Sequence, residues 1–148
     1  MNPGGSMKIN LTEVCNVEDK EFLCAVIAAR YQGKWLFVRG KGKETWELPG
    51  GTHESNESII ETAKRELYEE TGAIKFHIVP MCISFVDTGS RRSYGMVYYS
   101  EIFELGELPN YEIDEVRLFS NLPEKLTYPS IHNVLFQKAV ELHGRLLG

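Results

Sequence analysis

The stretch "GTHESNESIIETAKRELYEETGA", Gly51–Ala73, combines a helix signal with a concentration of carboxylates. Its middle part, Ser58–Thr71, predicts an α-helix, because Ser58 and Glu61 have the spacing of a capping box. Apolar residues recur at helical spacing along the same part. Gly72 stands where a glycine commonly ends a helix. We therefore predict a loop–helix unit that begins after a double glycine and stops at Gly72.

Three glutamates near the end of this helix are placed in a way that is unfavourable for a purely structural helix. Glu66 and Glu70 are four positions apart, and Glu66 and Glu69 are three apart, so their carboxylates crowd one part of the helix surface. Like charges at these spacings destabilise a helix by roughly 0.2–0.5 kcal/mol per pair, and the helix dipole disfavours anions at this end. A divalent cation with oxygen ligands, such as Mg²⁺, would turn the repulsion into binding.

The residues around the helix add groups of the same chemistry. The double glycine follows Pro49 and puts flexible backbone beside the helix start, where a carbonyl oxygen is able to join the ligands of a cation. Arg65 is suited to orient a neighbouring carboxylate, and Glu57 is its natural partner. The preceding loop carries the candidate phosphate contacts, which are Arg39, Lys41 and Lys43.

The spacing G-x5-E-x7-R-E-L-x-E-E-x-G-A over Gly51–Ala73 resembles the Nudix box at every position. The segment Trp46–Gly51, "WELPGG", is similar to the lead-in that usually precedes the box. The resemblance implies an α/β fold, an α/β/α sandwich with a mixed β-sheet. It also implies Mg²⁺- or Mn²⁺-dependent hydrolysis of a pyrophosphate bond in a nucleoside diphosphate derivative.

The resemblance further implies roles for individual residues. Glu66, Glu69 and Glu70 would be metal ligands, with one of them, or a carboxylate elsewhere, activating water. The Gly50 carbonyl would be a further ligand. Glu57 and Arg65 would form the ion pair that braces the loop against the helix, and we count both among the catalytic set.

Members of the family often use another acidic residue from a later loop. Here the segment 107–115 supplies four candidates, namely Glu107, Glu112, Asp114 and Glu115. We single out Glu112 as the candidate additional metal ligand, although spacing alone does not choose among the four.

The rest of the chain predicts more strands than helices, which indicates a mixed sheet covered by helices. Gln32 and Gly33 give a turn signal between two apolar runs, so these runs predict a hairpin. We assign residues 1–20 to an N-terminal segment without a function and residues 21–148 to a single Nudix domain. The predicted strands are Phe22–Tyr31, Lys34–Arg39, Lys75–Asp87, Ser93–Leu105 and Val116–Phe119, and the final helix is Tyr128–Leu147.

Composition narrows the possible partners. The net charge of −5 argues against a dedicated nucleic-acid binder. The small nucleotide substrate that we expect is what the resemblance implies. The longest apolar run, residues 22–29, is too short to span a bilayer. Three cysteines without metal-ligand spacing indicate free thiols in a reducing, cytoplasmic compartment. We expect a monomer or a homodimer, and we interpret His53 as a surface histidine and His132 as structural or exposed.

Several substrates fit the same motif. In its small size, the chain most resembles the mutator-type branch of the family. Members of that branch convert nucleoside triphosphates, including oxidised purine ones, to the monophosphate and pyrophosphate. ADP-ribose or another nucleoside-diphosphate sugar is the alternative. The acidic balance disfavours cleavage at the 5′ end of RNA. A non-catalytic nucleotide sensor is the alternative from another class, although this chain keeps every carboxylate of the box.

Overall fold

The computed structural model describes residues 9–87, 89, 90, 92–109 and 112–147, apart from the side chain of residue 147. Strands dominate this part of the chain, and a short 3-10 helix spans Asp19–Glu21. The strands are β1 (Ile9–Thr12), β2 (Phe22–Tyr31), β3 (Lys34–Gly40), β4 (Gly50–Thr52), β5 (Ala73–Asp87), β6 (Arg92–Leu105) and β7 (Ile113–Phe119). The α-helices are α1 (Ile59–Thr71) and α2 (Pro129–Leu147).

The strands form one mixed sheet in the order β1-β5-β6-β2-β3-β7. The pair β2 and β6 is parallel, and the other pairs are antiparallel. One edge of β2 follows β6, whereas its other edge is divided between β3 and the short strand β4. This division brings the double glycine of β4 into the middle of the sheet.

Alternation along the strands builds a core on each face of the sheet. In β3, Leu36 and Val38 join the core beneath α1, whereas Trp35 and Phe37 join the core beneath α2. The inner stripe of α1, with Ile59, Ala63 and Leu67, completes the first core. The second core includes Leu135 and Ala139 of α2. The prediction of an α/β/α sandwich with a mixed sheet is therefore confirmed.

Local signals explain the elements that the sequence predicts well. Gln32 and Gly33 both adopt positive φ angles, 52° and 77°, as a tight two-residue hairpin turn requires. Ser58 and Glu61 form the reciprocal capping box at the start of α1. Gly72 ends the helix in the left-handed conformation with φ 79°, and a Cβ there would lie 2.7 Å from the Glu107 carbonyl oxygen. Only glycine satisfies both conditions.

The structure differs from the sequence prediction mainly at short elements. Residues 9–12 of the N-terminal segment form β1 and pair with β5, so part of that segment belongs to the sheet; residues 1–8 lie outside the described part of the chain. Strand β7 begins at Ile113 rather than at Val116, because it pairs with β3 as far as Gly40. Among the described residues no helix is both long and apolar enough to cross a membrane.

Candidate active site

The loop that precedes α1 is attached to the sheet at one end and to the helix start at the other. Gly50 pairs with Val26 of β2, and the Ile27 N–H donates to the Pro49 carbonyl at 2.8 Å. At the helix start, the carboxylate of Asp19 accepts a hydrogen bond from the Ile59 N–H at 2.6 Å. The loop–helix unit is therefore fixed against two neighbouring elements before its functional side chains are considered.

Arg65 and Glu57 form a close ion pair across this unit. Arg65 Nε donates to both carboxylate oxygens of Glu57 at 3.2 and 3.0 Å, and Nη2 donates to Oε1 at 2.8 Å. Nη2 also donates to the Thr52 carbonyl of β4 at 3.0 Å, which ties the helix to the strand. The Arg65 guanidinium, aided by the Thr62 hydroxyl and opposed by partial burial, lowers the pKa of Glu57 to about 2.

The remaining Arg65 nitrogen, Nη1, reaches two of the clustered carboxylates. It lies 3.1 Å from Glu66 Oε1 and 3.3 Å from Glu69 Oε1. Glu70 instead accepts a hydrogen bond at Oε1 from the Gly50 N–H at 2.9 Å. Glu66 and Glu69 thus share the guanidinium of Arg65, the same arginine that braces the loop, whereas Glu70 contacts the double glycine.

Glu66 and Glu70 lie in surroundings that disfavour their negative charge. Burial raises the pKa of Glu66 to about 7, with Arg65 opposing the shift and the charge of Glu112 adding to it. Burial also raises the pKa of Glu70 to about 8, and the negative charges of Glu66, Glu47 and Glu112 act in the same direction. A cation placed among these groups would relieve both the desolvation and the repulsion.

These groups line a groove of about 540 Å³. A second lobe of about 320 Å³ adjoins it and carries lysine side chains. The groove is lined by Glu47, Gly50, Gly51, Thr52, Glu54, Arg65, Glu66, Glu69, Glu70 and Glu112. The second lobe is lined by Gly40, Lys41, Lys43, Glu47, Glu70, Glu112 and Ile113.

Gly51 is required at its position because of the Glu66 side chain. A Cβ atom built on Gly51 would overlap the carboxylate of Glu66. Only 12% of the Glu66 side chain is exposed, so the carboxylate has little room to move away. The second glycine of the pair therefore leaves a recess that the Glu66 carboxylate fills.

The basic residues predicted to contact phosphate separate into two groups. Lys41 and Lys43 line the second lobe, whereas Arg39 does not line either lobe. Arg39 donates to the Lys43 carbonyl at 2.9 Å and lies 3.5 Å from Asp114 and 3.4 Å from Glu115. Arg39 thus holds the lysine loop against β7, and its assignment as a phosphate contact stays a prediction.

The donor set fits a hard divalent cation, although the described residues do not gather three acidic, histidine or cysteine side chains into a ready-made metal cage. Mg²⁺ does not need such a cage, because it keeps several waters and is usually held by one or two carboxylates plus substrate phosphates. The groove supplies the carboxylates of Glu66, Glu69 and Glu70. Glu112 lies on its rim. The Glu47 carboxylate has a buried oxygen without a hydrogen-bond partner among the described residues.

Two histidines have roles that the sequence did not reveal. His53 is not a free surface residue, because Nδ1 lies 2.9 Å from the Phe22 carbonyl and Nε2 lies 2.7 Å from the Glu57 carbonyl. His132 is buried, and its Nε2 accepts a hydrogen bond from the Leu48 N–H at 3.0 Å. His53 holds the loop before α1, and His132 contacts a residue that is distant in sequence. Neither contact could be predicted from local spacing.

An α/β/α sandwich with a carboxylate-lined groove beside the Gly50–Thr52 strand is the arrangement of a Nudix-fold protein. The Nudix domain model matches residues 21–121, which is more than half of the chain, and this chain belongs to the Nudix family. The family predicted from the box is thereby confirmed.

Known relatives agree with this assignment. Phosphatase NudJ of Escherichia coli K12 is 46% identical over 43 residues, which is 28% of this chain and 28% of NudJ. The match thus spans less than a third of that relative.

Solved structures share the fold at low identity. The pyrophosphohydrolase BsRppH of Bacillus subtilis has a TM-score of 0.76 at 24% identity over 90% of both chains. The Nudix domain of Shewanella oneidensis NrtR, solved with ADP ribose, has a TM-score of 0.66 at 20% identity, covering 82% of this chain and 87% of that one. A MutT Nudix hydrolase from Burkholderia pseudomallei has a TM-score of 0.57 at 18% identity, with 78% and 95% covered.

Proposed function

We propose that this protein hydrolyses a pyrophosphate bond in a nucleoside diphosphate derivative, with Mg²⁺ or Mn²⁺ held by Glu66, Glu69, Glu70 and the Gly50 carbonyl. The observation that carries the proposal is the convergence of these groups on one groove, beside a lobe that carries lysines. Clustered carboxylates destabilise a purely structural helix, whereas a site for Mg²⁺ and phosphates makes use of carboxylate oxygens.

In this proposal each residue of the chain acts by holding or positioning. Arg65 fixes the carboxylates of Glu66 and Glu69 toward the groove while its bonds to Glu57 keep it in place. Lys41 and Lys43 bind phosphate oxygens beyond the cleaved bond. Bound Mg²⁺ or Mn²⁺ would neutralise phosphate oxygens and lower the pKa of the attacking water. Most of the rate enhancement then comes from positioning and charge stabilisation.

The reaction is a hydrolysis in which the oxygen of water forms a new bond to phosphorus and the bridging P–O bond breaks. The proton of water passes to a carboxylate oxygen of the groove. The leaving phosphate group departs with the electron pair of the broken bond, beside the lysines. No redox partner or further reactant is needed.

A nucleoside triphosphate, with an ordinary or oxidised purine, is the substrate that we propose, with the monophosphate and pyrophosphate as products. The lysine lobe supports this choice, because Lys41 and Lys43 place two cationic side chains beside the groove, where a further phosphate group would lie. ADP-ribose or another nucleoside-diphosphate sugar is the second candidate, since ADP ribose is bound to the structurally similar NrtR domain. We propose a cytoplasmic location, which the free thiols of Cys15, Cys24 and Cys82 support.

The experiment that tests the proposal is a product analysis over a panel of substrates in Mg²⁺. The panel contains nucleoside triphosphates, oxidised purine triphosphates, ADP-ribose and dinucleoside polyphosphates. We expect a monophosphate and pyrophosphate from the triphosphates and no turnover in EDTA. Selective cleavage of ADP-ribose would replace the triphosphate proposal with the second candidate, and nucleotide binding without any cleavage would favour the sensor.

A matched control separates catalysis from general effects of charge. Glu141 is an exposed glutamate of α2, outside the residues that line the groove. The variant Glu141→Gln removes the same charge as Glu70→Gln and is expected to keep full activity. Equal activity of the two variants would remove the assignment of Glu70 to the site.

A further inference from the structure

Glu47 occupies an unusually well fixed position beside the groove. Its backbone forms a bridge with β3, in which the Val38 N–H donates to the Glu47 carbonyl at 2.9 Å and the Glu47 N–H donates to the Val38 carbonyl at 3.0 Å. Its neighbours Trp46 and Leu48 are buried in the core beneath α2. Because side chains alternate along an extended segment, Glu47 points away from that core and lines the groove instead.

The flanking backbone leaves Glu47 little freedom to turn elsewhere. The Trp46 N–H donates to the Lys125 carbonyl at 2.8 Å, and the Leu48 N–H donates to the buried ring of His132. Both residues next to Glu47 are therefore anchored to segments near or within α2. The backbone hydrogen bonds on both sides of Glu47 therefore determine the direction of its side chain.

The Glu47 carboxylate is nevertheless incompletely satisfied. Its Oε2 atom is buried and has no hydrogen-bond partner among the described residues. A buried carboxylate oxygen without a partner is costly unless it is protonated, bonded or coordinated to a metal. The fold thus fixes a carboxylate oxygen at a place where something else has to satisfy it.

Glu47 also lies where the two lobes of the site meet. It lines both lobes, and Glu70 and Glu112 are the other acidic residues that do so. Glu70 already uses one oxygen to accept from the Gly50 N–H. The junction therefore brings together carboxylate oxygens between the catalytic groove and the lysine lobe, at the position that a polyphosphate would cross.

We infer that Glu47 is an additional ligand for a divalent cation at this junction, which it shares with Glu70 while waters and substrate phosphates supply the other ligands. The inference rests on the proposed function, since it deepens the description of the same site. A cation there would satisfy Glu47 Oε2 and would face the phosphates that extend toward Lys41 and Lys43. Glu47 lies outside the Nudix box, in the preceding segment Trp46–Gly51.

Binding of Mn²⁺ to the full-length protein in the absence of nucleotide tests this inference without measuring activity. Free Mn²⁺ is followed by its electron paramagnetic resonance signal in titrations of the wild-type protein, Glu47→Gln, Glu70→Gln and Glu44→Gln. Glu44 is exposed and lies three residues earlier on the same loop, so it is the matched control. In Glu47→Gln we expect either a Mn²⁺ dissociation constant at least fivefold higher than in the wild type or the loss of one bound ion. In Glu44→Gln we expect neither change.

Thermal unfolding distinguishes a ligand from a structural residue. In EDTA, Glu47→Gln should unfold at the wild-type temperature or above it, because the substitution removes the negative charge that Glu47 places near Glu70. The increase in unfolding temperature that saturating Mn²⁺ produces should be smaller than in the wild type.

Unchanged Mn²⁺ binding by Glu47→Gln would overturn the inference, as would a large loss of stability in EDTA with Mn²⁺ binding intact. These outcomes are separate from the fate of the proposed function. If the wild-type protein cleaves the substrate panel and Glu47→Gln binds Mn²⁺ normally, only the role of Glu47 is refuted. Mn²⁺ binding that depends on Glu47 in a protein without turnover refutes only the hydrolysis.

Discussion

The two ends of the loop–helix unit use the same residue type in opposite electrostatic surroundings. At its start, Glu57 faces the Arg65 guanidinium, which lowers the pKa of Glu57 to about 2. At its end, Glu70 is buried near other carboxylates, and this burial raises its pKa to about 8. One glutamate is a satisfied partner in an ion pair, and the other lacks a counterion among the described residues.

This contrast shows which carboxylates hold the structure and which are available for a ligand. The Glu57–Arg65 pair stabilises the folded protein by itself and needs no additional ion. The cluster at the helix end places three carboxyl groups near one guanidinium that already pairs with Glu57, so a bound cation would favour their ionised forms. Substitutions at the helix end should therefore affect catalysis more than substitutions at the Glu57–Arg65 pair.

Removing the charge of Glu70 should affect catalysis most. We expect Glu70→Gln to reduce kcat on the order of 10³-fold, because it removes a metal ligand and a groove carboxylate. The fold should persist, since Gln is nearly isosteric and its side-chain oxygen still accepts from the Gly50 N–H. Steady-state kinetics with a circular dichroism spectrum check this, and a variant that retains wild-type turnover would contradict it.

Filling the recess at Gly51 should have the next largest effect. The methyl group of Gly51→Ala would overlap the Glu66 carboxylate and displace it, and a misplacement of about 1 Å can reduce activity about 10²-fold. We expect kcat/KM to fall by this order, with a raised Mg²⁺ requirement.

Gly144 in α2 provides the control for this substitution. A Cβ there would meet open space, so Gly144→Ala should keep full activity and gain about 0.5–1 kcal/mol of stability from helix propensity. Equal kinetics for the two alanine variants would refute the role assigned to the Gly51 recess.

Neutralising Glu57 should have a moderate effect on activity and a characteristic dependence on pH. We expect Glu57→Gln to lower kcat/KM about tenfold, because Arg65 loses the charge that holds it in position. The folded pKa of Glu57, about 2, lies below its unfolded value of about 4.3. Its stabilising effect is therefore fully present above pH about 4.3 and is lost as the pH falls toward 2.

Denaturant unfolding from pH 7 to pH 3 checks this. The difference in unfolding free energy between the wild type and Glu57→Gln should be constant at neutral pH and should shrink below pH 4.5. A difference that stays constant down to pH 3 would show that Glu57 does not depend on an ionised pair with Arg65.

His132 should have the smallest effect on activity, because it acts through the backbone of Leu48. Burial lowers the pKa of His132 below its ordinary value, with the Tyr128 carbonyl and Glu47 opposing the shift. Below pH about 6.5, the His132 imidazole therefore takes up a proton in the unfolded state but stays neutral in the folded state. Stability is full above that pH and falls below it, by at most ~1.4 kcal/mol per pH unit.

The variant His132→Gln should show a smaller fall in unfolding free energy between pH 7 and pH 5 than the wild type, with kcat lowered only a few-fold. Guanidinium unfolding at these two pH values measures the difference. Parallel pH dependences would contradict a neutral buried imidazole at this position.

The elements that the sequence predicted accurately are those with complete local signals. Helix α1 begins and ends within one residue of its prediction, because Ser58, Glu61 and Gly72 supply its caps. The β2–β3 hairpin has the predicted turn for the same reason. Three of the groove carboxylates could be anticipated because Glu66, Glu69 and Glu70 lie on one short helix, where spacing determines direction.

The features that the sequence missed depend on partners far along the chain. Strand β4 exists because Gly50 pairs with Val26. Arg39 forms ion pairs with Asp114 and Glu115, which are distant in sequence. The position of Glu47 at the groove follows from its bridge to Val38. No local spacing records such contacts, which only the assembled sheet creates.

We propose that the helix-end carboxylates form the cation site of a pyrophosphohydrolase. A Mg²⁺ titration of the initial rate of nucleoside triphosphate hydrolysis, starting from EDTA-treated protein, examines this site without other variables. We expect no release of pyrophosphate without Mg²⁺, a rate that saturates with Mg²⁺ in the wild type, and no comparable saturating rate in Glu70→Gln. A rate that is independent of Mg²⁺, or identical titrations for the two proteins, would contradict it.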